Sequence, residues 1–205
     1  MKKEEIQNDL ASIRSLMERS SKFISLSGLS GILAGVYALI GAATAYYLIG
    51  HPNINYTDVT FLQLLNVLPY LIGIAIIVLV ASVLTAILLS YQKAKRNGQP
   101  IWGNTSKALL FHMAVPLLTG GLLMLIFLYR GYFGIVAPAS LIFYGLALIG
   151  ASNFTFVDVK FLGLCQIILG LIAACLPGYG LVFWAFGFGV LHIVYGSVMY
   201  FKYDR

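Results

Sequence analysis

Six long runs of apolar residues follow one another along the chain, separated by short polar segments. Because about 20 apolar residues in a helix cross the hydrocarbon core of a bilayer, each run predicts one transmembrane helix. Turn signals at Arg130-Gly131 and Pro177-Gly178 separate neighbouring runs. The pattern predicts an all-α, polytopic integral membrane protein, a bundle of six transmembrane helices. The predicted spans cover residues 24–49, 61–91, 105–129, 132–152, 159–176 and 179–200.

The first 22 residues differ from the rest because they are charged, and their apolar residues recur at helical spacing. This spacing predicts an amphipathic helix within residues 3–22, which lies on the membrane or the bundle, or docks on a cytoplasmic protein partner. The first apolar run is too long for a signal peptide and predicts an uncleaved anchor. We therefore divide the chain into a cytoplasmic amphipathic helix (1–22) and a six-helix transmembrane domain (23–205). The apolar positions of the helix are Ile6, Leu10, Ile13 and Met17.

Composition agrees with a lipid environment, since 60% of the 205 residues are hydrophobic and only 10% are charged. Soluble domains carry roughly 25% charged residues. The net charge of +6 is unevenly distributed: with the N-terminus inside, Arg130 is the one outer residue among the 13 basic residues. The positive-inside rule then predicts that both termini are cytoplasmic, at the plasma (inner) membrane. The positive charge faces anionic membrane lipids, so no nucleic-acid partner is predicted.

Small residues recur along single faces of two spans. Gly31 and Gly35 lie on such a face of the first span, and Gly189 and Gly196 on one of the sixth. In lipid, small residues let two helix backbones approach closely. These four glycines are therefore predicted helix-packing positions. The Gly31/Gly35 face is open to two interpretations, packing inside the bundle or contact between copies in a homo-oligomer.

The spans lack the residues of several functional classes. No Asp, Glu, Lys or Arg lies in the middle of a span, which argues against a carrier or an aspartyl hydrolase that uses a buried carboxylate. No HExxH, Walker A or GxSxG motif is present. Cys165 and Cys175 lie about 15 Å apart on one predicted helix, too far for a disulfide between them. The sequence therefore predicts no enzyme and no metal site.

Three neutral polar residues within the spans form the candidate site. His112, Gln166 and His192 lie roughly 8, 9 and 15 Å along their helices from the nearest inner lysine, which places all three in the inner half of the membrane. One interpretation is a set of interhelical hydrogen bonds, worth about 0.6 kcal/mol each. The second is a polar pocket that opens toward the cytoplasm. The other residues assigned to this pocket are Thr119, Tyr144 and Tyr195.

Three functions are compatible with this pattern. The first is a membrane binding, sensory or accessory module that holds a small apolar or amphipathic ligand, such as a lipid, in the inner-leaflet pocket. The second is a small-molecule permease or channel. The third is a haem protein with His112 and His192 as axial ligands, because imidazole is a common ligand of haem iron; no other cofactor is predicted.

Overall fold

The computed structural model describes residues 27–50, 61–96, 98 and 102–204. The predicted amphipathic helix at residues 3–22 lies outside the described residues, and the division of the chain at residue 22 stays a prediction. Within the described ranges the regular structure is entirely helical. The all-α prediction is therefore confirmed for this part of the chain.

Among the described residues, six helices are long and apolar enough to cross a membrane, which agrees with the predicted number of spans. A short 3₁₀ turn, Phe133–Ile135, leads into the fourth helix. Two helices continue several residues past their predicted ends, the second to Arg96 and the sixth to Asp204. The bounds are α1 Gly28–Ile49, α2 Phe61–Arg96, α3 Asn104–Tyr129, α4 Val136–Ser152, α5 Asp158–Cys175 and α6 Gly180–Asp204.

The last of these helices, α6, is continuous but not uniform. It begins as α-helix, becomes π-helix over Ala185–Leu191, returns to α-helix over His192–Met199 and ends as π-helix over Tyr200–Asp204. In a π turn the backbone bonds run from residue i to i+5, and single π turns occur frequently at functional sites. We call Ala185–Leu191 the π segment.

Four helices, α1, α4, α5 and α6, form the packed centre of the bundle. Helix α6 contacts the other three, and α4 packs along α5. Helices α2 and α3 are consecutive in sequence, yet α2 packs mainly on α1 and α3 on α4. The most apolar stretch of α2 is 0% buried and that of α3 is 6% buried, against 22–33% in the other four. The apolar side chains of α2 and α3 are therefore available to face lipid.

A network around Asp204 joins three helices at one end of the bundle. The Asp204 carboxylate accepts hydrogen bonds from Ser27 Oγ at 3.0 Å and from the Gly28 backbone N–H at 2.8 Å, at the start of α1. It also pairs with Lys93 Nζ of α2 at 2.5 Å. A carboxylate is stabilised at this position because the first N–H groups of a helix have no partner within the helix. We call this the Asp204 end of the bundle.

A second aspartate lies at the same end. Asp158, at the start of α5, accepts from Lys202 Nζ at 3.0 Å and from Tyr203 Oη at 2.7 Å. The starts of α1 and α5 thus meet the ends of α2 and α6. This arrangement means that helices next to each other in sequence alternate in direction. Sequence reasoning missed both networks, because the predicted spans 159–176 and 179–200 leave both aspartates outside the helices.

The four predicted helix-packing glycines lie where α1 crosses α6. A Cβ on Gly31 would lie 3.1 Å from Gly196 Cα, and one on Gly35 would lie 2.6 Å from Gly189 O. The two backbones are therefore in direct contact, which only glycine permits at these positions. The Gly31/Gly35 face is used for packing inside the chain.

The contact between α4 and α5 repeats the same geometry. A Cβ on Gly145 would lie 2.6 Å from Gly163 O, and a Cβ on Gly163 would lie 2.8 Å from Gly145 O. The two glycines therefore face each other across the crossing. This contact fixes the distance between the α4 and α5 backbones. It therefore also sets the positions of the α4 and α5 side chains that contact α6.

Candidate functional site

Three of the predicted polar residues meet in the packed centre. Tyr144 of α4 lies with its Oη 2.8 Å from His192 Nε2 of α6. His192 Nδ1 lies 3.0 Å from the carbonyl oxygen of Gly187, and Gln166 Nε2 of α5 donates to the same oxygen at 2.8 Å. Gln166 is fully buried and His192 is 6% exposed. We call Tyr144, Gln166, Gly187 and His192 the polar cluster.

The hydrogen-bond geometry determines the tautomer of His192. A carbonyl oxygen only accepts hydrogen bonds, so the ring must carry its proton on Nδ1 to bond Gly187. In the neutral ring Nε2 is then an acceptor, and the Tyr144 hydroxyl donates to it. Gln166 Nε2 lies 3.5 Å from His192 Nδ1, but both atoms are donors in this arrangement. The carbonyl of Gly187 is therefore shared by two side-chain donors.

The position of Gly187 explains why these donors can reach it. Gly187 belongs to the π segment, where the usual α-helical hydrogen-bond ladder is interrupted. A Cβ at this position would lie 2.5 Å from Leu141 Cδ2 and 2.6 Å from Gln166 Oε1. Any larger residue would displace the Gln166 amide. Glycine therefore permits both the close packing of α4 and α5 on α6 and the bond from Gln166.

The Gln166 amide leaves one atom without a partner. Among the described residues, Gln166 Oε1 is the buried side-chain nitrogen or oxygen atom that has no hydrogen-bond partner. Leaving a buried acceptor unpaired costs about 1–3 kcal/mol. Rotating the amide by 180° would place Oε1 against the Gly187 carbonyl, which is also an acceptor, so the observed orientation is the better one. The cluster is thus an incompletely satisfied polar site in an apolar bundle.

Aromatic rings extend the cluster along α6 and α4. Trp184, Phe188 and His192 follow one another at intervals of four residues, with ring centroids 5.1 and 5.9 Å apart. The Tyr144 ring lies 5.1 Å from Phe188 and 5.3 Å from His192. This column packs α6 on α4 around the polar cluster. Tyr195, the next predicted residue on α6, lies with its hydroxyl 3.7 Å from Cys165 Sγ.

The structure does not bring His112 and Thr119 to the cluster. Both are exposed on α3. The His112 ring packs on Phe154 at 4.9 Å between centroids, and its backbone oxygen would lie 3.1 Å from a Cβ on Gly150. His112 therefore packs against the end of α4 and Phe154 and does not join the polar cluster.

The geometry of His192 bears on the haem prediction. Both ring nitrogens of His192 are engaged, one by Gly187 and the other by Tyr144. An axial ligand would have to give up one of these bonds. No group of three or more His, Cys, Asp or Glu side chains that could hold a metal ion occurs among the residues that the structure describes.

A cavity of about 560 Å³ lies at the end of the bundle opposite the Asp204 end, between the last turns of α1 and the first turns of α6. None of the predicted polar residues lines it. Sequence reasoning missed this site because its lining is small and apolar, like the rest of the spans. The one sequence feature that could have indicated it is the pair of small residues Ala42 and Ala43, just before the tyrosines that end the first span. The lining residues are Leu39, Ala42, Ala43, Tyr46, Pro177, Gly178, Tyr179, Leu181, Val182 and Ala185.

Comparison with protein-family models, with curated proteins and with solved structures finds no match to this chain. The polar cluster, the π segment and the cavity are the features of the molecule from which we infer a function.

Proposed function

We propose that this chain is a non-enzymatic membrane module that binds a small apolar or amphipathic ligand and senses it through a change in α6. The observation that carries the proposal is the polar cluster, in which Gln166 of α5 and His192 of α6 both donate to one carbonyl of the π segment. Tyr144 of α4 joins them through its hydrogen bond to His192. Such a site couples three helices through one backbone group. A change in the hydrogen bonding of the Gly187 carbonyl would therefore alter the packing of α4 and α5 as well as that of α6.

The π segment supplies the element that can change. A π turn holds one more residue than an α turn, and one residue corresponds to about 100° of rotation around an α-helix. Conversion of Ala185–Leu191 to α-helix would therefore rotate the first part of α6 against the rest. In that state the Gly187 carbonyl would be bonded within the helix and would release Gln166 and His192. A sensor requires an element that can adopt two packings, one of which is favoured when the ligand is bound.

The orientation in the membrane belongs to the same proposal. We place both termini in the cytoplasm and the chain in the plasma (inner) membrane, supported by the basic residues Lys95, Arg96, Lys107 and Lys160, which lie exposed near the Asp204 end. Residues 3–22 would then lie on the cytoplasmic side. They would be available to a protein partner that receives the signal.

The proposal is tested on the full chain, purified in a mild nonionic detergent and reconstituted into proteoliposomes. Mass spectrometry of the purified chain should recover a co-purifying small molecule, with no Soret absorption. Flux across a broad panel of small solutes should be absent in the wild type. The two histidines provide a matched pair of variants. His192→Asn should reduce recovery of the molecule, whereas His112→Asn, which alters an exposed residue outside the cluster, should not.

Two results would contradict the proposal. Solute flux that His192→Asn abolishes and His112→Asn preserves would assign the chain to the permeases. A Soret band that is lost with either histidine would assign it to the haem proteins. Circular dichroism of each variant separates these outcomes from loss of the fold.

A further inference from the structure

We propose that the cavity between α1 and α6 binds an acyl chain of a membrane amphiphile, at a site distinct from the polar cluster. The cavity volume of about 560 Å³ falls within the range of about 300–1,000 Å³ that is typical of small-molecule sites. The inference rests on the proposed function and names the class of ligand that the module binds.

The lining of the cavity selects an apolar ligand. The side chains of Leu39, Ala42, Ala43, Leu181, Val182 and Ala185 contribute only hydrocarbon, and among the described residues no charged side chain lines the cavity. A buried water needs two to four polar partners, whereas cavities lined by such side chains stay dry and accept apolar molecules. An acyl chain satisfies this lining without leaving a polar group unpaired.

The exposed residues at the cavity indicate that it opens where lipid chains meet the polar surface of the membrane. Val182 is 63% exposed beside the opening, and the two tyrosines Tyr46 and Tyr179 are 56% and 61% exposed. Tyrosine is enriched at this level because its ring is apolar and its hydroxyl is polar. The chain would therefore enter from lipid, with its polar head held outside near Tyr46 and Tyr179.

The floor of the cavity meets the π segment. Ala185, the first residue of the π segment, lines the cavity, and Leu39 lies where a Cβ on Gly189 would be 2.7 Å from its Cγ. From Leu39 to Tyr46 the cavity follows about 10 Å of α1. A bound chain would thus press on the part of α6 whose backbone carries the polar cluster. This contact connects the ligand to the element that we propose as the sensor.

The test uses a long-chain fatty acid that carries a diazirine near its methyl end, added to the full chain in nonionic detergent and photolysed. We expect saturable labelling that maps to residues 39–46 and 177–185. Ala43→Phe fills the cavity from an exposed position and should weaken labelling about tenfold. Ala174→Phe makes the same change at an exposed position of α5 that does not line the cavity, and should leave labelling unchanged.

A parallel arm with a phospholipid that carries the same diazirine distinguishes the two sources of the chain. Saturable labelling by either probe supports the site and identifies which amphiphile fits. Labelling that maps to other residues, or that Ala43→Phe and Ala174→Phe affect equally, overturns it. If acyl chains fail to label the cavity while another molecule co-purifies with the wild type, the acyl-chain inference falls and the binding function stands.

Discussion

The two halves of the α1/α6 pair differ in how closely the helices approach. Near the Asp204 end the backbones touch, because a Cβ on Gly196 would lie 2.5 Å from Ile32 N and one on Gly35 would lie 2.6 Å from Gly189 O. Near the other end the same two helices enclose a cavity of about 560 Å³, with Leu39 and Tyr46 on one side. We call the half of the pair around Gly35 and Gly196 the closed half, and the half around the cavity the open half.

This difference shows how one helix pair can supply both stability and space. Glycine permits contact between backbones, and helices that touch at one end separate toward the other when larger side chains intervene. The closed half holds the start of α1 against the end of α6, and the open half leaves room for a ligand. The π segment of α6 lies between them. Substitutions should therefore have very different effects in the two halves.

The largest effect is expected in the closed half. Gly196→Ala places a methyl group against the backbone of α1, at Ile32 N and Gly28 O. Because backbone atoms cannot move aside as a flexible side chain can, the helices must separate, at a cost of about 1–3 kcal/mol or more. Unfolding in mixed SDS micelles, followed by circular dichroism, measures the loss.

The control for this change is Gly73→Ala in α2, where a Cβ meets nothing within 4 Å. Alanine is the better helix former, so Gly73→Ala should be neutral or stabilise by up to about 1 kcal/mol. Equal destabilisation by both substitutions would show that the α1/α6 contact is not close, and the contrast between the two halves would fail.

An intermediate effect is expected at the network around Asp204, which connects α1, α2 and α6 in the closed half. Asp204→Asn removes the carboxylate that pairs with Lys93, which is 15% exposed, and weakens the bonds to Ser27 and Gly28. Hydrogen bonds to charged groups contribute about 1.5–3 kcal/mol, so a loss within that range is expected in the same unfolding assay.

Asp158→Asn is the matched comparison at the same end of the bundle. Its partner Lys202 is 54% exposed, so solvent screens that ion pair. We expect a clearly smaller change in unfolding free energy for Asp158→Asn than for Asp204→Asn. The reverse order would mean that Asp204 does not fasten α1 to α6.

The smallest effect is expected at the polar cluster between the two halves. Tyr144→Phe removes the donor to His192 Nε2 and retains the ring contacts with Phe188. Hydrogen bonds between membrane helices contribute about 0.6 kcal/mol on average. Because the buried Nε2 of His192 is left without its donor, we expect a loss of about 1 kcal/mol. Tyr37→Phe is the control, because its hydroxyl makes only a longer contact of 3.3 Å with Thr85. If Tyr37→Phe lowered the unfolding free energy as much as Tyr144→Phe, the hydrogen bond in the polar cluster would contribute no more stability than the contact between Tyr37 and Thr85.

The candidate site was predictable only in part, for a reason that His112 illustrates. In a soluble helix the polar face is the outer one, whereas a membrane helix is apolar all round and its inward face is harder to identify. The small residues around Gln166 and His192 marked a true packing face, since small side chains let helices approach. Beside His112, Pro116 and Thr119 made a similar stripe, yet the structure leaves His112 and Thr119 exposed.

The ends of the helices show a second limit. The apolar run of the sixth span predicts an end at residue 200, but α6 continues to Asp204. Hydropathy cannot anticipate this extension, because the polar last turn is stabilised by partners on α1, α2 and α5. The cavity was not predictable for a related reason. It depends on the distance between two helices, and because the sequences of both are equally apolar, hydropathy does not show where they separate.

By itself the sequence determined that the described part of the chain is helical and holds six segments long and apolar enough to span a membrane. The cost of exposing an unpaired backbone to lipid imposes this one solution on long apolar runs. It also identified four of the glycines through which α1 and α6 approach, whereas the facing pair Gly145 and Gly163 was not predicted. Only the tertiary structure decided which polar side chains meet, that Gly187 receives two of them, and that α1 and α6 separate around a cavity. Those features depend on crossing positions and on the π segment, which local patterns of hydrophobicity do not encode.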